Sequence, residues 1–332
     1  MRAFTYTRAA EAETAVGALN RNAEAKLIGG GTNLVDLMRE NVERPNEVVD
    51  INRLPFSQIE ELPDGGLRLG ALARNSHTAN HPLVRARYPV LAQALLSAAS
   101  PQLRNLATNG GNLLQRTRCY YFYDVTAPCN KREPGSGCGA LGGYNRIHAI
   151  LGASEQCIAT HPSDMAVALA ALDAVVQVQV QGPGGPRSIP IAEFHRLPGD
   201  TPQIDTSLGR DELITAIDLP ALPVARNSVY LKVRDRPSFA FALVSVAGVL
   251  ELADSHIRAV RLALGGVAHK PWRAHRAEEI LTGAPASAEV FRRAAEAELQ
   301  AAVGYEYNAF KIELATRSLV RALTTLTERH FA

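Results

Sequence analysis

Three consecutive glycines, Gly29 to Gly31, interrupt the run Lys26-Leu-Ile-Gly-Gly-Gly-Thr-Asn-Leu34, between a strand-like segment and the start of a helical one. No side chain there can fill a core, so the turn is open to close approach by a ligand. Backbone N–H groups in such a turn, with the unpaired donors and partial positive charge of a helix N-terminus, suit a pyrophosphate. Thr32 and Asn33 add side-chain donors. The pattern is neither G-x-G-x-x-G nor G-x-x-x-x-G-K-[ST] and gives no support for a Rossmann or P-loop site. A second site of the same character ends Ser100-Pro-Gln-Leu-Arg-Asn-Leu-Ala-Thr-Asn-Gly-Gly-Asn-Leu113, with Gly110 and Gly111 flanked by Thr108 and Asn112. Two such loops can grip two parts of one extended dinucleotide; taken singly, they also read as unrelated glycine turns.

Around the first site strand and helix alternate. Strands at Phe4–Tyr6, Lys26–Ile28 and Val48–Ile51, with helices near Glu11–Asn20 and Leu34–Glu40, predict a small α/β unit. A strand near Leu67–Ala71 follows, then a helix over Val90–Ala99 that Pro101 is expected to stop. Further on come a helix at Met165–Ala174, an alternating strand at Val175–Val180, a turn at Gly182–Pro186, a strand at Glu212–Asp218 and a linker at Pro220–Pro223. The remainder reads as strands (Val229–Val233, Leu243–Leu252, Ala259–Leu264) and then helices near Arg273–Leu281, Ser287–Ala302 and Ala309–Thr327. In the last of these, Ile312, Ala315, Leu319, Ala322, Leu323 and Leu326 fall on one helical face. At 332 residues the chain is long enough for more than one domain. The expected organisation is α+β: a domain over 1–222, divided into 1–55 and 56–222, and a C-terminal α+β domain over 223–332.

Two classes of partner are disfavoured by composition. The 35 Lys and Arg against 33 Asp and Glu leave a net charge of +2, with no electrostatic footprint for nucleic acid. No apolar run approaches the roughly 18 residues of a membrane span, so no membrane insertion is expected. Catalytic motifs are also missing: His77 and His81 lack the carboxylate of an H-E-x-x-H set, and there is no G-x-S-x-G elbow.

All four cysteines, Cys119, Cys129, Cys138 and Cys157, fall inside one irregular insertion spanning 113–162, spaced C-x9-C-x8-C-x18-C. Five glycines lie between 135 and 143, and the segment Tyr120-Tyr-Phe-Tyr123 follows the first cysteine. The spacing is neither a ferredoxin run nor a pair of C-x2-C units, so by itself it names no metal. Four thiols can hold a [4Fe-4S] cluster, hold Zn2+ or pair into two disulfides. Arg116, Arg118, Lys131, Arg132 and Arg146 outnumber Asp124, Glu133 and Glu155 in this stretch, which suits the negative charge of thiolates around a cluster. The glycine N–H groups are candidates to face the sulfurs, and the aromatics either shield a cluster or pack a loop without a core of its own.

The two glycine motifs together resemble the FAD-binding subunit of the molybdenum hydroxylases, the xanthine dehydrogenase, carbon monoxide dehydrogenase and aldehyde oxidoreductase group. The likeness continues through Ser163-Asp-Met-Ala-Val-Ala-Leu-Ala-Ala-Leu-Asp-Ala174, Glu212-Leu-Ile-Thr-Ala-Ile217, Tyr230-Leu-Lys-Val-Arg-Asp-Arg236 and Arg261-Leu-Ala-Leu-Gly-Gly-Val-Ala268. The resemblance implies a two-subdomain FAD-binding fold of the PCMH/VAO type and a C-terminal domain of the CO dehydrogenase flavoprotein type. It implies that Lys26, Leu27, Ile28, Gly29, Gly30, Gly31, Thr32, Asn33 and Leu34 form the loop on the FAD diphosphate. Thr108, Gly110, Gly111 and Asn112 would form the second flavin loop, Asp164 an acidic position near the cofactor, and Leu213 and Lys232 positions near the isoalloxazine. Some members of the family, including periplasmic aldehyde oxidoreductases, carry a [4Fe-4S] cluster on an insertion at this place. The sequence is most similar to that type, which implies that the four cysteines are iron ligands.

Partners follow partly from counting. Substrate oxidation in this family needs a molybdenum cofactor and two 2Fe-2S clusters, and two such clusters need eight cysteine ligands where this chain has four. A molybdenum-binding large subunit and a small subunit with two 2Fe-2S clusters are therefore expected, with electrons passing through FAD to an external acceptor. Two alternatives stand beside this expectation: a self-sufficient flavin oxidase, and a zinc-stabilised assembly subunit without redox activity. The N-terminus has no apolar export signal, so a periplasmic location requires co-export with a signal-bearing partner; the alternative is the cytoplasm.

Overall fold

The computed structural model describes residues 1–180 and 185–331, with side chains described to residue 329. The turn expected at Gly182–Pro186 lies largely outside the described residues. Three sheets carry the fold. In the first, β1 (Thr5–Arg8), β2 (Ala25–Ile28) and β3 (Glu47–Asp50) pair in parallel in the order β1-β3-β2. Parallel strands need crossovers. The helices Ala12–Arg21 and Leu34–Arg39 supply them, the first burying Ala12, Ala15, Val16 and Leu19. The triple-glycine turn leaves the C-terminal end of β2, the edge of an open α/β sheet where ligands sit.

The second sheet holds β4 (Ile59–Glu61), β5 (Leu67–Gly70), β6 (Val175–Val180), β7 (Arg187–Pro190) and β8 (Glu212–Leu219) in the antiparallel order β4-β5-β8-β6-β7. Between β5 and β6 the chain makes one long excursion that contains the second glycine site and the whole cysteine insertion. The third sheet is β9 (Ser228–Val233), β10 (Val244–Ala253), β11 (His256–Gly265) and β12 (Trp272–Arg273). Helix Phe310–Phe331 packs on it and buries Ala315, Leu319, Ala322, Leu323 and Leu326, as their helical spacing predicts. Helix Asp164–Ala171 joins the layers. All of its residues are buried, against helix Pro89–Ser97 on one side and β10 and β11 on the other. A helix enclosed on every side must be apolar all round, which explains its alanine-rich sequence.

The structure departs from the sequence expectation at two helix boundaries. Pro101 does not stop a helix but starts one: helix Pro89–Ser97 ends earlier, and Pro101–Leu106 begins with the Ser100 hydroxyl accepting from Leu103 N. Proline is favoured at a first helical position because its missing N–H would have no partner there. Trp272 and Arg273, expected to open a helix, pair with β11, and the helix begins at His275.

The insertion has one helical turn, Tyr120–Tyr123, and isolated bridges such as Cys129 with Cys138. Charged groups fix it from outside. Arg116 bridges Glu43 (2.8 Å) and Asp205 (2.9 Å), and the buried Lys131 ammonium donates to Asp205 and to Pro202 O. On the C-terminal side Asn308 Nδ2 donates to His148 O and Ala149 O, and Lys311 Nζ to His148 O at 2.7 Å. Leu319→Ala is expected to destabilise the chain by about 2–5 kcal/mol, the range for deleting a buried leucine side chain. Urea unfolding should show a lower midpoint with an unchanged slope.

Candidate functional site

The two glycine loops touch each other. A Cβ on Gly30 would lie 2.0 Å from Leu106 O, and one on Gly29 would lie 3.0 Å from Thr108 Oγ1. Gly31, at φ +70°, takes the left-handed conformation that turns the chain into the next helix. The second loop is tightened by Thr108, whose hydroxyl accepts from Gly111 N at 3.2 Å, while Gly110 N donates to Ala71 O at 2.8 Å.

Beside this contact opens a cavity of about 610 Å³. Its walls include Thr32 and Asn33 from the first loop, Gly111 and Asn112 from the second, and Asp164 and Lys232 from the layers behind. Segments far apart in sequence thus meet around one space of ligand size. Asn33 accepts from Arg116 N at 2.9 Å through its carbonyl oxygen, while its buried Nδ2 has no partner. That leaves a donor for an oxygen-rich ligand, and together with the side-chain-free turn the arrangement fits a dinucleotide. Ala99 and Phe239, with φ of +50° each, also line the cavity, placing backbone strain at the site.

Asp164 and Lys232 form a buried ion pair at 2.7 Å, their side chains 5% and 4% exposed. Tyr230 donates to the other carboxylate oxygen at 2.6 Å, and Lys232 also donates to Ser97 O at 3.1 Å. Burial and the neighbouring Asp164 hold the Tyr230 phenol well above its usual value. The pair sets a fixed cation in the wall with its charge already balanced, so the positive end is oriented without an uncompensated buried charge.

Not every expected residue reaches the cavity. Lys26 pairs with Glu43 at 3.3 Å, Leu27 packs in the core of the first unit, and Ile28 ends β2. Leu34 is the first residue of its helix. Leu213 is buried against Ala15, Val16 and Leu72 and does not line the cavity, because its face of β8 meets the first α/β unit. Sequence reasoning missed Asn75, Arg104, Gln115, Arg118, Tyr120, Tyr123 and Phe241, all cavity-lining. Arg118, Tyr120 and Tyr123 flank the first cysteine, which was the one available signal.

All four cysteines are free and line one small cavity, with Thr117, Tyr121, Phe122, Lys131 and Ala159 among its other walls. No disulfide joins them. Among the described residues no group of three or more His, Cys, Asp or Glu is arranged around a single metal ion. Four free thiols around a common void are the donor set that a four-iron cluster takes. Burial pushes the Cys119 thiol up to about 12 and the Cys157 thiol up to about 11. Three of the five glycine N–H groups expected at the sulfurs go elsewhere: Gly135 N and Gly137 N donate to Asn130 Oδ1, and Gly139 N to Pro128 O. Asn130 has taken the role of ordering that turn. The sulfur contacts include Ala159 N to Cys157 Sγ at 3.4 Å, His148 Nε2 to Cys119 Sγ at 3.1 Å and the backbone N–H groups of Phe122 and Tyr121 at Cys119.

Thr117–Tyr123 is the wall between the two cavities. Arg118, Tyr120 and Tyr123 face the larger one; Thr117, Cys119, Tyr121 and Phe122 face the thiols. Arg118 donates to the Tyr123 hydroxyl at 2.8 Å, and Tyr123 donates to Asp36 at 2.9 Å, which ties the wall to the helix after the first glycine loop.

Residues 2–222 match the family described as the FAD binding domain in molybdopterin dehydrogenase, and 229–326 match the CO dehydrogenase flavoprotein C-terminal domain. The chain belongs to the molybdopterin dehydrogenase flavoproteins. Among its relatives is the aldehyde oxidoreductase FAD-binding subunit PaoB of Escherichia coli, 51% identical over 97% of this chain and 98% of that protein. The carbon monoxide dehydrogenase medium chain of Hydrogenophaga pseudoflava is 24% identical over 89% of this chain and 85% of that one. In a solved structure, carbon monoxide dehydrogenase from Hydrogenophaga pseudoflava superposes with a TM-score of 0.76 at 25% identity, covering 99% of this chain and 98% of that chain. The flavoprotein fold is therefore that of the family, an α+β architecture as expected.

Gly30→Ala is expected to force the two loops apart and weaken FAD binding roughly tenfold or more, which needs a loss of only about 1.4 kcal/mol. Flavin titration of the apoprotein measures it, with Gly142→Ala as the control, since a Cβ there meets nothing within 4 Å. A pH effect follows from the buried histidines. Burial holds His195, whose Nε2 sits 2.9 Å from Leu113 O, and His269 down to about 4 from 6.5. The unfolded chain takes up these protons first, so stability is full above about pH 6.5 and falls as pH drops towards 4. His195→Gln should flatten that slope in urea unfolding across the same range.

Proposed function

We propose that this chain is the FAD-binding electron-transfer subunit of a heteromeric molybdenum-containing aldehyde oxidoreductase. The observation that carries it is the 51% identity to PaoB along nearly the whole of both chains. FAD, held by Thr32, Asn33, Gly111, Asn112, Asp164 and Lys232, supplies two-electron uptake and one-electron release. The chain's own residues would bind and orient it: Thr32, Asn33, Gly111 and Asn112 of the two loops would receive its phosphates, the Asp164–Lys232 pair would set a fixed cation in the wall, and Phe239 and Phe241 would add apolar lining. The oxidation of substrate belongs to a large molybdenum subunit, with a small subunit bearing two 2Fe-2S clusters between them and an external acceptor beyond.

The proposal includes a [4Fe-4S] cluster on Cys119, Cys129, Cys138 and Cys157, supported by the four free thiols around one cavity. Lys131, inside the cavity wall, favours the Cys157 thiolate. It also includes a periplasmic location reached by export with a signal-bearing partner, which rests on the family resemblance; fractionation of cells expressing the whole complex tests it.

Anaerobically purified chain is expected to show flavin and iron–sulfur absorption that both bleach with dithionite, with iron and acid-labile sulfide at one four-iron cluster per FAD. Zinc without sulfide would overturn the cluster, a colourless protein would favour the assembly subunit, and aldehyde turnover by the isolated chain with oxygen would favour the oxidase. Because the cavities are separate, Cys129→Ser is expected to lose iron and sulfide while keeping most of its flavin.

A further inference from the structure

The imidazole of His148 stands behind the cysteine cavity rather than in it. It is 1% exposed, its Nε2 is 3.1 Å from Cys119 Sγ, and its Nδ1 has no partner. Its backbone is fixed on both sides. His148 N donates to Asn145 O at 3.0 Å, and His148 O accepts from Lys311 Nζ at 2.7 Å and Asn308 Nδ2 at 3.2 Å. The rings of Tyr120 and Tyr121, each 6.4 Å away between centroids, box in the imidazole. A ring held this firmly with one nitrogen on a sulfur and the other on nothing has one favourable tautomer. Were Cys119 a metal-bound thiolate, which only accepts hydrogen bonds, Nε2 would carry the proton and Nδ1 the bare lone pair.

We infer that His148 is a positioning residue that donates an N–H···S hydrogen bond to Cys119 and thereby raises the reduction potential of the cluster these cysteines hold. This rests on the cluster proposed above. A donor at a ligand sulfur stabilises the form with more negative charge, which is the reduced one, and hydrogen bonds to the sulfurs are among the levers that set such potentials. Losing the donor should shift the reduction equilibrium about tenfold, the scale of one net hydrogen bond, which is about 59 mV for one electron.

The test uses the full chain with its cofactors in three forms: wild type, His148→Leu and His148→Gln. Iron and sulfide are assayed first, and their absence from the wild type would overturn the cluster itself and this inference with it. With cluster present, EPR-monitored titration is expected to place His148→Leu about tenfold harder to reduce and His148→Gln, which keeps an N–H donor, near the wild type. Equal potentials in wild type and His148→Leu would overturn the inference. A measurement on the wild type alone guards against a variant that fails to fold. With 15N-labelled histidine, the reduced cluster is expected to show a weak nitrogen coupling of hydrogen-bond size. No coupling, or the strong coupling of a direct ligand, would overturn it.

Discussion

Everything in the flavin-binding half hangs on the contact between Gly30 and the Leu106 carbonyl. A side chain at that position would meet backbone, and backbone cannot rotate out of the way as a side-chain tip can. The contact fixes the end of the first parallel sheet against the helix Pro101–Leu106, and so sets the position of the second glycine loop. The cavity exists because these two turns, about eighty residues apart, are held as a single surface. Its remaining wall comes from helix Asp164–Ala171 and β9, which the central layers of the molecule bury and align.

The insertion obeys a different physics. It has little regular structure, and its small apolar cluster is built around Phe122, Leu37 and the cysteines themselves. Fixation comes from charged and amide groups that reach it from three other regions: Glu43, Asp205, and the pair Asn308 and Lys311. Both buried lysines have carbonyl acceptors, with Asp205 as well for Lys131, whereas Lys311, with no carboxylate, is pushed down to about 7 by burial. The result is a loop held by side chains rather than by a strand ladder, with one helical turn, Tyr120–Tyr123, in the wall between the two cavities.

The glycine motifs were readable because they encode a backbone need, which leaves few substitutes, and the periodicity of the last helix was readable because one face of it is core. The aromatic and basic lining of the cavity was not, since Tyr120, Tyr123, Arg118 and Phe241 act through tertiary placement and share no local period. Pro101 shows the same limit at smaller scale: proline both ends and begins helices, and only the Ser100 cap distinguishes the two. Leu213 was placed near the isoalloxazine by family likeness alone, and in the structure it belongs to the core cluster of the first α/β unit. Glycines in the insertion pointed to sulfur by composition, whereas Asn130, with two acceptor lone pairs, collects the N–H groups of Gly135 and Gly137.

The attachment of the insertion to Asn308 and Lys311 has a consequence for folding. The anchoring bonds join residues 160 and 163 positions apart in sequence, so the thiol-bearing loop is not held until the C-terminal domain has folded against it. The last helix, which begins at Phe310 beside these anchors, thereby couples the order of the loop to the folding of a different domain.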